Sequence, residues 1–151
     1  MTADFDGDGK PDVATADYNG NTITILLGNG AGALGAPITL GTGTAPASLA
    51  AGDLDGNGTI DLVAADQGAS DVTVLLNGGG AAFAPGVLFT TGANPQAVEI
   101  ADFNINGIPD IATANLSTNN VSLLNGTGGG SYAAPVNTAV QTSPWRSAPP
   151  I

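Results

Sequence analysis

Short runs of alternating β-branched and polar residues, each closed by glycine and asparagine, recur along this chain. "TITILL" (22–27) and "VTVLL" (72–76) alternate in this way, the period of a half-buried strand. They run into "LLGNGAG" and "LLNGGG", the composition of hairpin turns. No segment carries a 3.6-residue apolar stripe over three turns, so no long helix is expected. Three more strands are read in each unit. One precedes an acidic stretch ("PASLAAGD", "PQAVEIAD"), and one follows it ("DVATAD", "DLVAAD", "DIATAN"). The last runs through the Ala–Pro segments "GALGAP", "AAFAP" and "SYAAP". The small residues of "DVATAD" and "DIATAN" suit close packing between sheets.

The whole pattern repeats. Asp4, Asp53 and Asp102 head the acidic stretches at an interval of 49 residues, and Pro46, Pro95 and Pro144 keep the same interval. Units of four antiparallel strands with a period of about 40–50 residues stack radially in β-propellers. The fold class expected is therefore all-β, with about three blades in tandem over residues 1–151. A fourth unit begins near 144–151 and breaks off: residues 145–148 of "TSPWRSAPPI" stand where a first strand belongs. At the other end, "MTADFDG" opens on an acidic loop with no strand read before it. Open sheet edges recruit strands, so further blades or a second copy joined head to tail, closing into a ring or growing into a filament, are expected partners.

Charge narrows the function. The 151 residues include 13 acidic and 2 basic side chains, for a formal charge of −11. Nucleic-acid binding through phosphates needs Lys and Arg and is excluded; anionic membranes are disfavoured for the same reason. No apolar run approaches the ~20 residues of a membrane span. Without cysteine or histidine there is no disulfide framework, no thiolate site and no imidazole base. Hydrophobic residues make up 42% of the chain, which argues against a disordered acidic tail. The Thr-, Asn- and Gly-rich, Lys-poor composition is that of an extracellular bacterial protein, although no signal peptide is visible in this stretch.

Nine of the 13 acids lie in three loops at 4–12, 53–61 and 102–110. Each follows D-x-D/N-x-D/N-G-x-x-D, which offers oxygen side chains at positions 1, 3, 5 and 9 and a backbone carbonyl at 7. Calcium takes six to eight such oxygens in flexible geometry, and glycine at position 6 allows the bend. The candidate ligands are Asp4, Asp6, Asp8, the Lys10 carbonyl and Asp12 in the first loop. In the second they are Asp53, Asp55, Asn57, the Thr59 carbonyl and Asp61. The third offers Asp102, Asn104, Asn106, the Ile108 carbonyl and Asp110. Up to three calcium ions are expected; the competing reading is a solvated acidic turn. An EF-hand or dockerin-like loop would run into a helix, and an EF-hand needs glutamate at position 12, where Thr15, Ala64 and Thr113 stand. Loop 3 departs at one place: Ile105 replaces Gly7 and Gly56, so a positive φ there would strain the bend.

The acidic loop, the strand after it and the Gly–Ala–Pro-like ending resemble the FG-GAP/VCBS repeats of integrin α-subunit propellers and many secreted bacterial proteins. The resemblance implies a propeller with calcium held in blade loops. It points to a non-catalytic module of an extracellular or cell-surface adhesion protein, with a protein or glycan ligand at exposed loops. Two alternatives stay open: an accessory propeller of a secreted polysaccharide-degrading enzyme, and a self-assembling structural subunit. Catalysis is not expected, because no pair stands out among the carboxylates outside the loops, Asp17, Asp66, Asp71 and Glu99, and the usual nucleophile partners are missing. Asp17 and Asp66, matched by Asn115 in the third unit, are read as strand-end residues. Asn57, Asn115, Asn120 and Asn125 formally match glycosylation acceptors, and Tyr18, Tyr132 and Trp145 are aromatic candidates for packing or sugar stacking.

Overall fold

Strand follows strand in the order set by the alternation, and every pairing is antiparallel. In the computed structural model, which describes residues 1–141, blade 1 comprises β1 (Thr2–Ala3), β2 (Asp12–Asp17), β3 (Thr22–Gly28) and β4 (Leu34–Gly41). Blade 2 comprises β5 (Pro46–Gly52), β6 (Asp61–Asp66), β7 (Asp71–Leu75) and β8 (Val87–Thr90). Blade 3 comprises β9 (Pro95–Ala101), β10 (Asp110–Asn115) and β11 (Asn120–Leu124). A small hairpin, β12 (Gly126–Gly128) and β13 (Ser131–Tyr132), then precedes the blade's last strand, β14 (Val136–Ala139). Each four-stranded sheet is a meander; β5 packs against β9 of blade 3, and β2 of blade 1 packs against β5, so successive blades adjoin through their first and second strands. This is the architecture of propeller blades.

Two expectations change. A two-residue strand does precede the first loop: Thr2 pairs with Val13 and Ala3 with Asp12, and the Met1 ammonium donates to the Ala14 carbonyl at 2.8 Å. The fourth strand begins after the Ala–Pro segment in blades 2 and 3, at Val87 and Val136. Pro85 and Pro135 have no N–H to give a ladder. The aromatic before each instead folds back on the end of the third strand, as the Asn77–Phe83 bridge and the β12–β13 hairpin show. In blade 1 the expected segment does lie in the strand, with Pro37 on the outer edge beside Leu26. The expected fourth unit, with Trp145, lies outside the described residues.

Blade 2 is covered on both faces, and its period-2 pattern shows how. Leu62, Ala64 and Leu75 pack with Phe5, Ala14, Ile23 and Ile25 of blade 1. Val63, Ala65, Val72 and Val74 pack with Val98, Ile111 and Leu124 of blade 3. All six residues of β6 are buried. Full burial of such aliphatic side chains contributes roughly 1.5–3 kcal/mol each, so the blade contacts dominate the cohesion of the chain. The free face of blade 3 keeps Ala112 and Ala114 only partly covered, beside Ala97, Glu99 and Val121.

Candidate metal centre

Each acidic loop joins the first strand of a blade to the second, and its leading carboxylate shapes it. Asp4 Oδ1 accepts from the Gly7 and Asp8 amides at 2.8 and 3.1 Å, and its Oδ2 accepts from Gly9 at 2.9 Å. Asp53 repeats the pattern with Gly56, Asn57 and Gly58. Positions 3 and 5 close smaller turns, as in Asp55 Oδ1 accepting from Asn57 N–H at 3.1 Å and Asn57 Oδ1 from Thr59 N–H at 2.8 Å. These turns draw the acids inward. One carboxylate oxygen from each of Asp4, Asp6 and Asp8 lies within 4.8 Å of the others, and the same holds for Asp53, Asp55 and Asp61. Such hard oxygens with like charge are the donor set of a calcium site, so the residues fit that ion.

The two clusters differ in what balances them. In loop 1 the Lys10 ammonium pairs with Asp8 Oδ2, which holds the Asp8 carboxyl below its usual range and raises Lys10. In loop 2 Thr59 stands in the lysine's place, and its hydroxyl donates to the Asn77 carbonyl instead. Lys10 is the one basic side chain among the described residues, so no ammonium balances Asp53, Asp55 and Asp61.

Position 9 does a second task that its spacing did not reveal. Asp12 is fully buried; its Oδ2 accepts from Phe5 N–H at 2.8 Å and its Oδ1 from Gly28 N–H at 2.7 Å. Asp61 binds Leu54 and Asn77 in the same way, and Asp110 binds Phe103 and Gly126. Each therefore ties its loop to the end of the third strand. Burial pushes the Asp61 carboxyl up, against the two backbone hydrogen bonds that lower it.

Loop 3 is the looser copy. Ile105 does adopt φ 59° and is 90% exposed, where Gly7 and Gly56 have φ 79° and 83°. Asp102 accepts from Asn106 and Gly107 at 3.0 and 2.7 Å, while the Asn104 amide turns toward Asp110 and Asn125 at 3.4 Å. Ile108, at the carbonyl position, donates its N–H to Asn106 Oδ1 at 2.8 Å. No three acids converge there. Its second residue, Phe103, is exposed, whereas Phe5 and Leu54 at that position are buried against the following blade.

Asp17, Asn115 and Tyr132 are held by packing and hydrogen bonds away from the acidic loops. Asp17 accepts from the Thr15, Thr22 and Thr24 hydroxyls, with the Thr24 bond of 2.6 Å the chief cause of its lowered pKa. Asn115 is fully buried, and Tyr132 packs edge-on against Phe89 at 5.2 Å. Asn77, buried at the junction of blades 1 and 2, carried no motif; the signal was its place in the register of Gly28 and Gly126.

Fold and loops together define a segment of β-propeller with acidic inter-strand loops. The FG-GAP-like repeat family matches residues 4–64 and 53–113, and the chain belongs to that family. No curated protein matches it in sequence. Among solved structures it is similar to an Agrocybe aegerita lectin described as recognising non-reducing terminal N-acetylglucosamine, at 21% identity and a TM-score of 0.64. That match covers 89% of this chain and 36% of the lectin. The chain is also similar to BBS1N in its complex with ARL6DN (13% identity, TM-score 0.63, 93% of this chain and 43% of that one). Against the Photorhabdus luminescens Tc holotoxin pore the identity is 22% and the TM-score 0.52, over 93% of this chain and 7% of that one. The chain thus spans less than half of each of these three structures, and the likeness is one of fold. No helix among the described residues is long and apolar enough to cross a membrane.

Proposed function

We propose that the chain is a non-catalytic, calcium-binding propeller module of an extracellular adhesion or recognition protein. The observation that carries this reading is the loop 2 cluster: three carboxylates within 4.8 Å of one another and no ammonium near them. A divalent ion removes that repulsion and staples the loop between β5 and β6. Loop 1 binds as well, with calcium competing against Lys10 for Asp8, and loop 3 binds weakest, at roughly 10⁻⁴–10⁻³ M, the range of extracellular modules. Such affinities match millimolar calcium outside cells. Because the ion binds the folded chain alone, it raises the melting temperature by mass action. Calorimetry in millimolar calcium and in EDTA tests this, and superimposable melting curves would refute it.

The ligand is a protein or a glycan. A groove of about 310 Å³ between loops 1 and 2, lined by Asp4, Asp6, Gly58, Thr59 and Gly79, offers it acceptors, and the glycan-binding lectin of similar fold supports the second class. An accessory role beside a catalytic domain of a secreted enzyme fits the same surface. The free face of blade 3, with Phe103 at 49% exposure, favours a further blade or a second copy packed head to tail. Light scattering and electron microscopy of the 151-residue chain test this, and a monomer whose blade 3 face resists hydrogen exchange would exclude it.

A further inference from the structure

All three blades close the hairpin between their second and third strands with one register pair: Asp17 with Thr22, Asp66 with Asp71, and Asn115 with Asn120. In blade 1 the Thr22 hydroxyl donates to Asp17 Oδ2 at 3.2 Å. In blade 3 Asn115 Nδ2 donates to Asn120 Oδ1 at 2.8 Å. Blade 2 keeps the geometry, with Thr73 donating to Asp66 Oδ2 at 2.6 Å, yet its pair consists of two acids. Asp66 is fully buried, and Asp66 Oδ1 and Asp71 Oδ1 are both out of water with no donor. The carboxylates close on Gly43 in the crossover from blade 1, where a β-carbon would lie 2.7 Å from Asp66 Oδ2 and 2.8 Å from Asp71 Oδ1. That contact leaves no room there for a hydrated ion. Two ionised carboxylates so placed repel each other and lose their hydration, and one proton relieves both penalties.

We propose that Asp66 and Asp71 share a single proton, the Asp66 carboxylic acid donating to Asp71 as the Asn115 amide donates to Asn120, and that the blade 2 hairpin is thereby a pH-sensitive clamp on the crossover from blade 1. Burial is the chief influence on Asp66 and pushes its pKa up to about 7, with the Asp71 charge adding to it and the Thr73 hydroxyl opposing. Burial also raises Asp71, and the pair titrates as a unit. Among the described residues no ionisable group from a neighbouring element faces the pair: the crossover brings Thr42, Gly43 and Thr44, β8 brings Thr90, and β7 brings Thr73. Lys10 is engaged with Asp8 in loop 1. In this geometry the folded chain holds a proton that unfolded aspartates, near 3.8, release. Stability from the pair is therefore full below that value and declines as pH rises toward about 7.

Carboxyl ¹³C NMR of the aspartate-labelled chain, titrated with and without calcium, tests the proposal, alongside urea unfolding at pH 5 and pH 8. One carboxyl resonance titrating near neutral pH is expected, and it should vanish in Asp71→Asn, which supplies an amide donor. The folding constant of the parent should fall between the two pH values by on the order of a hundredfold more than that of Asp71→Asn. Asp66→Asn provides the same comparison if Asp71→Asn does not fold. Aspartates that all titrate in the ordinary acidic range would overturn the proposal. So would a neutral titration that calcium abolishes at this pair, since the acids would then hold an ion and not a proton.

Discussion

The side-chain amide of Asn77 donates to the Phe5 carbonyl at 2.8 Å, joining residues 72 apart in sequence. The Ala81 N–H reaches the same oxygen at 3.1 Å, and the Phe5 N–H is held by Asp12 at 2.8 Å. Acidic loop 1 is thus gripped by its own blade on one side of Phe5 and by blade 2 on the other. Asn77 also donates to the Ile60 carbonyl at 3.1 Å. Replacing Asn77 with alanine should cost about 1–3 kcal/mol, because buried acceptors lose their donor. Urea unfolding reads this directly, and an unchanged midpoint would show that the tie between blades carries no stability.

Phe5 and Phe103 occupy the same position of two loops with opposite surroundings. Phe5 is 1% exposed and meets the Phe83 ring edge-on at 6.3 Å; Phe103 is 49% exposed. Phe5→Ala should destabilise the chain by about 3–5 kcal/mol. Phe103→Ala should stay within about 0.5 kcal/mol. Equal losses in thermal unfolding would mean that something covers the blade 3 face.

Asp6→Ala and Asp55→Ala should lower the melting temperature of the calcium-loaded chain more than Asp17→Ala does. The first two leave the ion under-coordinated, whereas Asp17 binds hydroxyls at a strand end, worth ~1 kcal/mol. In EDTA the gap should close. If Asp17→Ala proves the most damaging in calcium, the loops are not the metal sites.

Ile105→Gly should stabilise loop 3. A left-handed conformation costs an L-residue with a side chain roughly 1–2 kcal/mol, and the exposed isoleucine forfeits little burial when removed. Offset by glycine's greater freedom when unfolded, the net gain should be roughly 0.5–1 kcal/mol. Titration calorimetry should show tighter calcium binding at loop 3, and weaker binding would show that Ile105 contributes to the site.

Asp4, Asp53 and Asp102 at equal intervals, and the alternation in "TITILL" and "VTVLL", made the blades and acidic loops legible from the sequence. Both signals are local: strand pleat and loop bend act over a few residues, and repetition multiplies them. Ile105 shows the same reach, since the need for a positive φ at that position could be read from Gly7 and Gly56. The place where a fourth strand starts was less legible, because Pro85 and Pro135 shift it by what they cannot donate. What sequence spacing could not assign was which oxygen faces which partner. Asp12, Asp61 and Asp110 looked like ligands alone, yet each spans two backbone amides brought together by the fold. Asp66 and Asp71 looked like unrelated acids until β6 and β7 paired and Gly43 closed over them. The reason is physical: burial and charge proximity depend on distances through space, and only packing sets those.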